Sequence, residues 1–550
     1  MPKKLLLLTN VDLGQANVFL GVAAALLQSR SQVEIHFATF GALESEVHAL
    51  GQQLHQQLHD VSDKVAAVDA DADDAAADAA PDVTGAGAGA GAAGVKLPAL
   101  YFHKIEGPAM REGLERQTKM SGIATTVGHW LPQSYLAPLG TKNTMRAIRD
   151  TTVVFIPYHG PQLGKVYSSI VDIIATVSPD LVLVDGLMTA GLTACYHLHV
   201  NFHILSPNSI REFAGPYQPN AAGLWKFPAL FSGFAYPVPW HLIPLNIFFV
   251  LYAVYHFQRS PSYREAQEWM ANNAKAQLRT PMDLLRRDRP PQVKILVGSW
   301  PELDFPVVVP DHVRPCGPIL RHSRPVEADD ADLAAWLAKG PTIYINLGSM
   351  CCLSEDRAFE LARAIKAFLA STTTTTTTYT NTTKTSKRRF QVLWKLKQEG
   401  SYHVREPGSK IFGILADEFA HDRLRVCSWL VPEPIALLGT GHIACSIHHG
   451  GANSYYEATS AGVPQVVLPQ WIDCYDYAQR VEYLGVGRIG NRTSRPLWEA
   501  EELAGAIGEV LVGTQSDNIK KKAMELSRLC ERNGDGALKV VDFVTQELRI

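Results

Sequence analysis

The run Ser446-Ile-His-His-Gly-Gly-Ala-Asn-Ser-Tyr-Tyr-Glu457, continued by Gly462-Val-Pro464 and Pro469-Gln-Trp-Ile-Asp473, carries the reading of the fold. Ile443 to Ile447 is an unbroken apolar run of strand length, and Gly450-Gly451 is a tight turn. Asn453 to Ala461 is a helix stopped by Gly462, with Pro464 beyond it. Val466 to Leu468 predicts a second short strand. Strand, glycine turn, helix and strand form one unit of a parallel α/β sheet, and such a unit presents the free N–H groups of a helix N-terminus above the sheet edge. An anion suits that place. His449, Asn453 and Ser454 fall where strand gives way to helix and offer donors to phosphate oxygens. Glu457 follows Asn453 by one turn on the same helix face. Its carboxylate repels phosphate but accepts two hydrogen bonds from a vicinal diol such as a ribose. Phosphate donors beside a diol acceptor predict a nucleotide, and Asp473, after the next strand, is placed to accept hydrogen bonds from a sugar. A Gly-Gly turn into a capped helix is also ordinary α/β structure, so the nucleotide reading rests on the side chains.

Working outward, Thr342-Ile-Tyr-Ile-Asn-Leu-Gly-Ser349 starts a parallel sheet in which Gly348 permits close approach and Ser349 supplies a donor. Asp329 to Leu337 and Glu355 to Leu369 read as helices, and Val293 to Gly298, Phe390 to Lys395 and Leu424 to Trp429 as strands. Pro310 to Glu327 is proline-rich and polar enough to cross between domains. At the other end, Leu5 to Leu8 is a buried strand, Thr9-Asn-Val-Asp-Leu-Gly14 its turn, Val18 to Leu27 a helix and Val33 to Ala38 the next strand, which implies a second parallel sheet. Asp185 ends the apolar run Leu181-Val-Leu-Val and therefore stands at the carboxyl edge of a strand, where ligands of α/β sheets bind. A carboxylate capping the following helix fits that position too.

The run from about Leu438 to Cys474 resembles the nucleotide-sugar signature of the family-one UDP-dependent glycosyltransferases, of the fungal-like glucosyl- or glucuronosyltransferase kind. It matches in ungapped register at His449, Gly451, Asn453, Ser454, Glu457, Gly462, Pro464, Pro469 and Asp473. The resemblance implies an α/β chain of GT-B architecture, two facing Rossmann-like domains with parallel sheets. Residues 1–310 form the acceptor domain, 311–338 the linker and 339–550 the donor domain, whose last helix packs back on the first domain. It further implies that Gly348 and Ser349 meet the donor phosphates, that Trp429 stacks on uracil, and that Glu433 and Cys474 stand where the family usually has glutamines. The family's catalytic histidine, in the loop after the first strand, is matched here by Gln15, and the aspartate that orients it by Asp185. A neutral amide cannot take a proton. Asp185 is therefore expected to act directly while Gln15 positions the acceptor. His159, in Ile156-Pro-Tyr-His-Gly-Pro161, is another candidate base, with weaker claims from His103, His199 and His203. No metal or other cofactor is implied, since helix N–H groups and His449 offset the charge of the leaving diphosphate.

With 550 residues the chain is too long for one ordinary core, and 46% hydrophobic and 19% charged residues describe a globular protein. A formal net charge of −3 without a basic stripe argues against a nucleic-acid partner. The eight cysteines lack CxxC or CxxH spacing and read as free thiols in a reducing compartment. The apolar run after Lys4 is shorter than a signal-peptide core and the end carries neither apolar span nor retention signal, so the chain is expected in the cytosol. The Asp/Ala and Gly/Ala tract at about 60–96 and the Thr-rich tract at 371–387 read as expanded surface loops. Phe227 to Phe257 is dense in aromatics and prolines; its longest break-free apolar part, Ile247 to Tyr255, is much shorter than the roughly 20 residues that span a bilayer. It reads as helices packed in the first domain, or as the wall or lid of a pocket for a greasy acceptor, in peripheral contact with a membrane. Two functions follow: an inverting transfer of a hexose, glucose by preference, from a UDP-sugar to a hydroxyl of a sterol, lipid or aromatic metabolite, or a UDP-sugar-binding protein with little transfer because of Gln15.

Overall fold

A computed structural model of the chain describes residues 2–29, 33–52, 99–125, 131–286, 289–321, 323–373, 378–379, 382–383 and 389–550. The tract at 60–96 and most of 371–387 lie outside them. Seven parallel strands make the first sheet: β1 (Lys3–Leu8), β2 (Val33–Thr39), β3 (Leu100–Lys104), β4 (Leu181–Asp185), β5 (Phe202–Ser206), β6 (Ile295–Val297) and β7 (Val313–Pro315), in the order β3-β2-β1-β4-β5-β6-β7. Leu5, Leu6, Leu7 and Leu8 are all fully buried, because helices cover both faces and the strand has no solvent side. Residues 311–338 were expected to be linker throughout, yet Val313–Pro315 still belongs to this sheet, as a short edge strand that tolerates proline's missing N–H.

The second sheet uses β8 (Thr342–Asn346), β11 (Gln391–Lys395), β12 (Leu424–Cys427), β13 (Ile443–His448), β14 (Gln465–Val467) and β15 (Gly487–Ile489), all parallel, in the order β12-β11-β8-β13-β14-β15. Two two-residue strands between β8 and β11, β9 (Thr378–Tyr379) and β10 (Thr382–Thr383), pair antiparallel with each other alone. In each sheet the strand order reverses beside the first strand of its domain, between β1 and β4 and between β8 and β13, and the crevice at such a switch point is where α/β sheets bind ligands.

Two observations tie the halves together. The last helix, Gly536–Leu548, buries Val540, Val541, Val544 and Leu548 in the same cluster as Leu5, Leu7 and Phe19 of the first domain. It approaches so closely that a Cβ on Gly536 would stand 2.4 Å from the Gly317 carbonyl oxygen. Away from the cleft, the fully buried Arg480 pairs with Asp304 at 2.6 Å and donates to Ser209 at 2.8 Å. The helix Leu13–Gln28 starts a turn earlier than its apolar run indicates, so Gln15 lies in its first turn rather than in a loop.

Candidate active site

The carboxyl edges of the two sheets line a cavity of about 590 Å³. Gly348, Ser349, Trp429, Glu433, His449, Gly451, Asn453, Ser454, Glu457 and Asp473 are all on its wall, and Gln15 faces them from the first domain. Cys474 and Asp185, also expected at the site, are not. Cys474 is fully buried as the first residue of the helix Cys474–Tyr483. Asp185 is fully buried as well, its Oδ2 accepting from the Asn10 side chain (3.0 Å) and backbone (3.4 Å) and its Oδ1 from the Leu187 N–H (2.8 Å). Burial raises its pKa to about 6, but three donors already occupy its oxygens, so the carboxylate that ends β4 organises the loops instead of meeting substrate.

His449 is held by the backbone around it. A Cβ on Gly348 would come within 2.6 Å of the His449 ring and one on Gly451 within 2.5 Å, and Gly348 also adopts a φ of +82°. Burial, reinforced by His448, lowers the His449 pKa to about 3, so the ring is neutral at physiological pH, and its Nδ1 has no hydrogen-bond partner among the described residues. His448, by contrast, is committed: its Nε2 meets Gln465 Oε1 at 2.9 Å and its Nδ1 accepts from the Gly450 N–H at 3.1 Å. Asn453 donates across the cleft to the Leu13 carbonyl at 3.0 Å.

Behind the helix N-terminus, burial raises the Glu457 pKa to about 8; Glu433 pushes in the same direction and Lys395 opposes it. The Lys395 ammonium stands 3.9 Å from the Trp429 ring centroid, while Arg321 bridges Glu433 and Glu46, each at 3.0 Å. Lys395 and Arg321 were not picked out from the sequence, because basic residues at a strand end and in a connecting segment have no local signature.

Across the cavity, Gln15 donates to Asn208 at 3.4 Å and Asn208 to Glu212 at 2.7 Å, while Gln15 Oε1 is buried without a partner among the described residues. Burial, and then Asp473, raises the Glu212 pKa to about 8, and burial raises Asp473 to about 6. Asp12, just before Gln15, is on the wall too, its carboxyl pushed up by burial against the opposing pull of Arg111. An acid in the turn after β1 was the available sequence signal for it. Leu13, Met110, Leu114 and Leu187 make this side apolar. His103 meets His36 at 2.9 Å and His203 accepts from the Lys294 N–H at 3.1 Å; neither they nor His159 and His199 line the cavity.

Residues 421–526 match the family described as "Erythromycin biosynthesis protein CIII-like, C-terminal domain". Over 394 residues, 68% of this chain and 72% of the relative, the sequence is 34% identical to the glycosyltransferase sdnJ of Sordaria araneosa. The chain belongs to the family-one UDP-dependent glycosyltransferases. The UDP-glycosyltransferase 74C1 of Arabidopsis thaliana is 27% identical over 46% of this chain and 52% of its own. The fold of this transferase is GT-B. It superposes with a TM-score of 0.57 at 15% identity on a UDP-glucosyltransferase from Polygonum tinctorium, covering 100% of this chain and 99% of that one. UGT2 of Phytolacca americana gives 0.55 at 15% identity over 100% and 99%. The glycosyltransferase thus uses a UDP-sugar as donor, and His449, Asn453 and Ser454 stand on the cavity wall at the start of the helix Ala452–Ser460, whose first N–H groups have no intrahelical acceptor.

Proposed function

We propose that this transferase inverts the anomeric centre while moving a hexose, glucose by preference, from a UDP-sugar to a hydroxyl of an apolar acceptor such as a sterol, a lipid or an aromatic secondary metabolite. The observation that carries the reading is the pairing of walls: His449, Asn453 and Ser454 at a helix N-terminus on one side, and Asp12 and Gln15 among apolar side chains on the other. Glucose is favoured because the structurally similar Polygonum protein is a UDP-glucosyltransferase capable of glucosylating indoxyl and the Phytolacca protein holds UDP-2-fluoro-glucose and pterostilbene. Asp473 suits hydrogen bonds from the sugar hydroxyls, Glu457 a ribose diol, and Trp429 the face of uracil.

In this reading Asp12 is the base. Its carboxylate takes the proton of the acceptor hydroxyl while that oxygen forms a bond to the anomeric carbon and the bond from that carbon to UDP breaks, its electrons leaving on the diphosphate. The unpartnered Gln15 Oε1 orients the hydroxyl, and helix N–H groups with the neutral His449 stabilise the leaving charge, so no metal enters the scheme. The eight free cysteines accord with work in a reducing cytosol. A protein that holds UDP-sugar and transfers it only weakly is the second reading, favoured by the amide at Gln15. Release of UDP from UDP-glucose, measured over a panel of apolar alcohols and phenols, separates the two: turnover on several acceptors supports the first, and tight donor binding with trace turnover on all of them selects the second.

A further inference from the structure

The outer face of the helix Ile243–Arg259 is unexplained by the reaction. Phe248 (44% exposed), Leu251 (55%), Val254 (50%) and Tyr255 (54%) fall on one arc of it, and Trp240, 83% exposed, stands just before its start. The helix has no acidic residue. Its inner face buries Phe249 with Ala147 and Ile148 of the neighbouring helix Thr141–Asp150, whose exposed side carries Lys142, Arg146 and Arg149. Arg149 is paired with Asp150 at 3.0 Å, but Lys142, Arg146 and Arg259 have no ion-pair partner among the described residues. Arg259 closes the C-terminal end of the face, over the Tyr255 ring at 5.5 Å.

By length and composition the stretch Trp240–Ala274 suffices to cross a bilayer, with a mean hydropathy of 1.3. Its geometry is wrong for that. Ser260 (ψ 127°) interrupts the helix after 17 residues, a rise of about 25 Å against a hydrocarbon core of about 30 Å. The buried Asn246 also fastens it to the domain, accepting from the Ala229 N–H (2.8 Å) and donating to the Leu224 and Phe227 carbonyls (2.9 Å each). A helix pinned along one face, greasy on the other, closed by Arg259, without an acidic residue and preceded by an exposed tryptophan has the composition of an element lying in a lipid interface, and the neighbouring helix adds the exposed Lys142 and Arg146.

We propose that this face rests on an anionic phospholipid surface, with the helix axis in the plane of the interface. The same cluster that backs the helix includes Trp471, a wall residue of the cavity, so an apolar contact runs from the membrane side to the active site. The proposal stands apart from the choice of base or sugar.

The test is co-sedimentation of the full chain with vesicles of mixed phosphatidylserine and phosphatidylcholine and with vesicles of phosphatidylcholine alone. Binding is expected on the mixed vesicles and about tenfold weaker on the neutral ones. The doubles Phe248→Ser/Leu251→Ser and Lys142→Glu/Arg146→Glu are each expected to lower binding to mixed vesicles by about tenfold. UDP affinity should stay at the parent value, which verifies that they fold. Failure of the parent chain to bind mixed vesicles overturns the proposal. So does a parent dimer that Phe248→Ser/Leu251→Ser turns into a monomer with no change in vesicle binding, since a second copy would then be what covers the face.

Discussion

On the donor wall His449 is wedged between Gly348 and Gly451, and Glu457 is buried beside Lys395, whereas on the acceptor wall Gln15 reaches Asn208 by a 3.4 Å contact and leaves Oε1 without a partner among the described residues. The donor wall is closely packed around His449 and Glu457. Its groups are held by backbone contacts and burial, which suits a task that is the same in every turnover: holding a diphosphate and stabilising the charge it acquires on leaving. The acceptor wall is apolar and closed by side chains with unused hydrogen-bonding atoms, which suits a partner that has to be oriented more than it has to be gripped.

The largest expected effect breaks the comparison on the acceptor side. Asp12→Asn removes the proposed base without changing shape, so kcat should fall by about 10³-fold while UDP affinity, measured by calorimetry, stays within about twofold. If the two fall together, the walls are not independent and Asp12 has a structural task. On the donor side His449→Ala should lower kcat/KM about 10²-fold through loss of charge stabilisation, and Gly451→Ala, which drives a Cβ into the ring, should weaken UDP binding about tenfold.

A pH series examines the buried carboxyl. Unfolded Glu457 loses its proton near its ordinary 4.5, whereas the folded side chain keeps it to about 8, so between those values the native state holds more protons and stability falls as pH rises. Glu212, also at about 8, adds a slope of the same sign. Glu457→Gln should therefore flatten the decline of Tm between pH 5 and pH 8 in part, and a slope identical to the parent's would mean that Glu457 is ionised in the folded protein. The smallest effect concerns Trp429, which is 61% exposed: Trp429→Leu should cost about 1 kcal/mol of UDP affinity, roughly fivefold, with kcat unchanged.

The donor wall was legible because its parts are local. Strand, turn and helix occupy consecutive residues, so the spacing from His449 through Glu457 already states which side chains share an edge, and the structure brings all of them to the cavity. Cys474 failed for an equally local reason: one residue past Asp473 on a new helix, its side chain turns into the protein. The acceptor wall assembles Asp12, Met110, Leu187 and Asn208 from four separate segments, and nothing in the spacing of any one segment tells which of its side chains faces the others.

Sequence alone determined the parallel α/β architecture and the donor unit, since apolar runs buried on both faces and a glycine turn into a helix are properties of short contiguous stretches. Tertiary structure decided the rest. Asp185 is withdrawn from the cavity by Asn10 and Leu187, and Asp12 is brought to it. The helix Ile243–Arg259 keeps one face in the fold and turns the other out. Those outcomes depend on burial and on partners distant in the chain, and both come into being only when segments far apart in the sequence pack together.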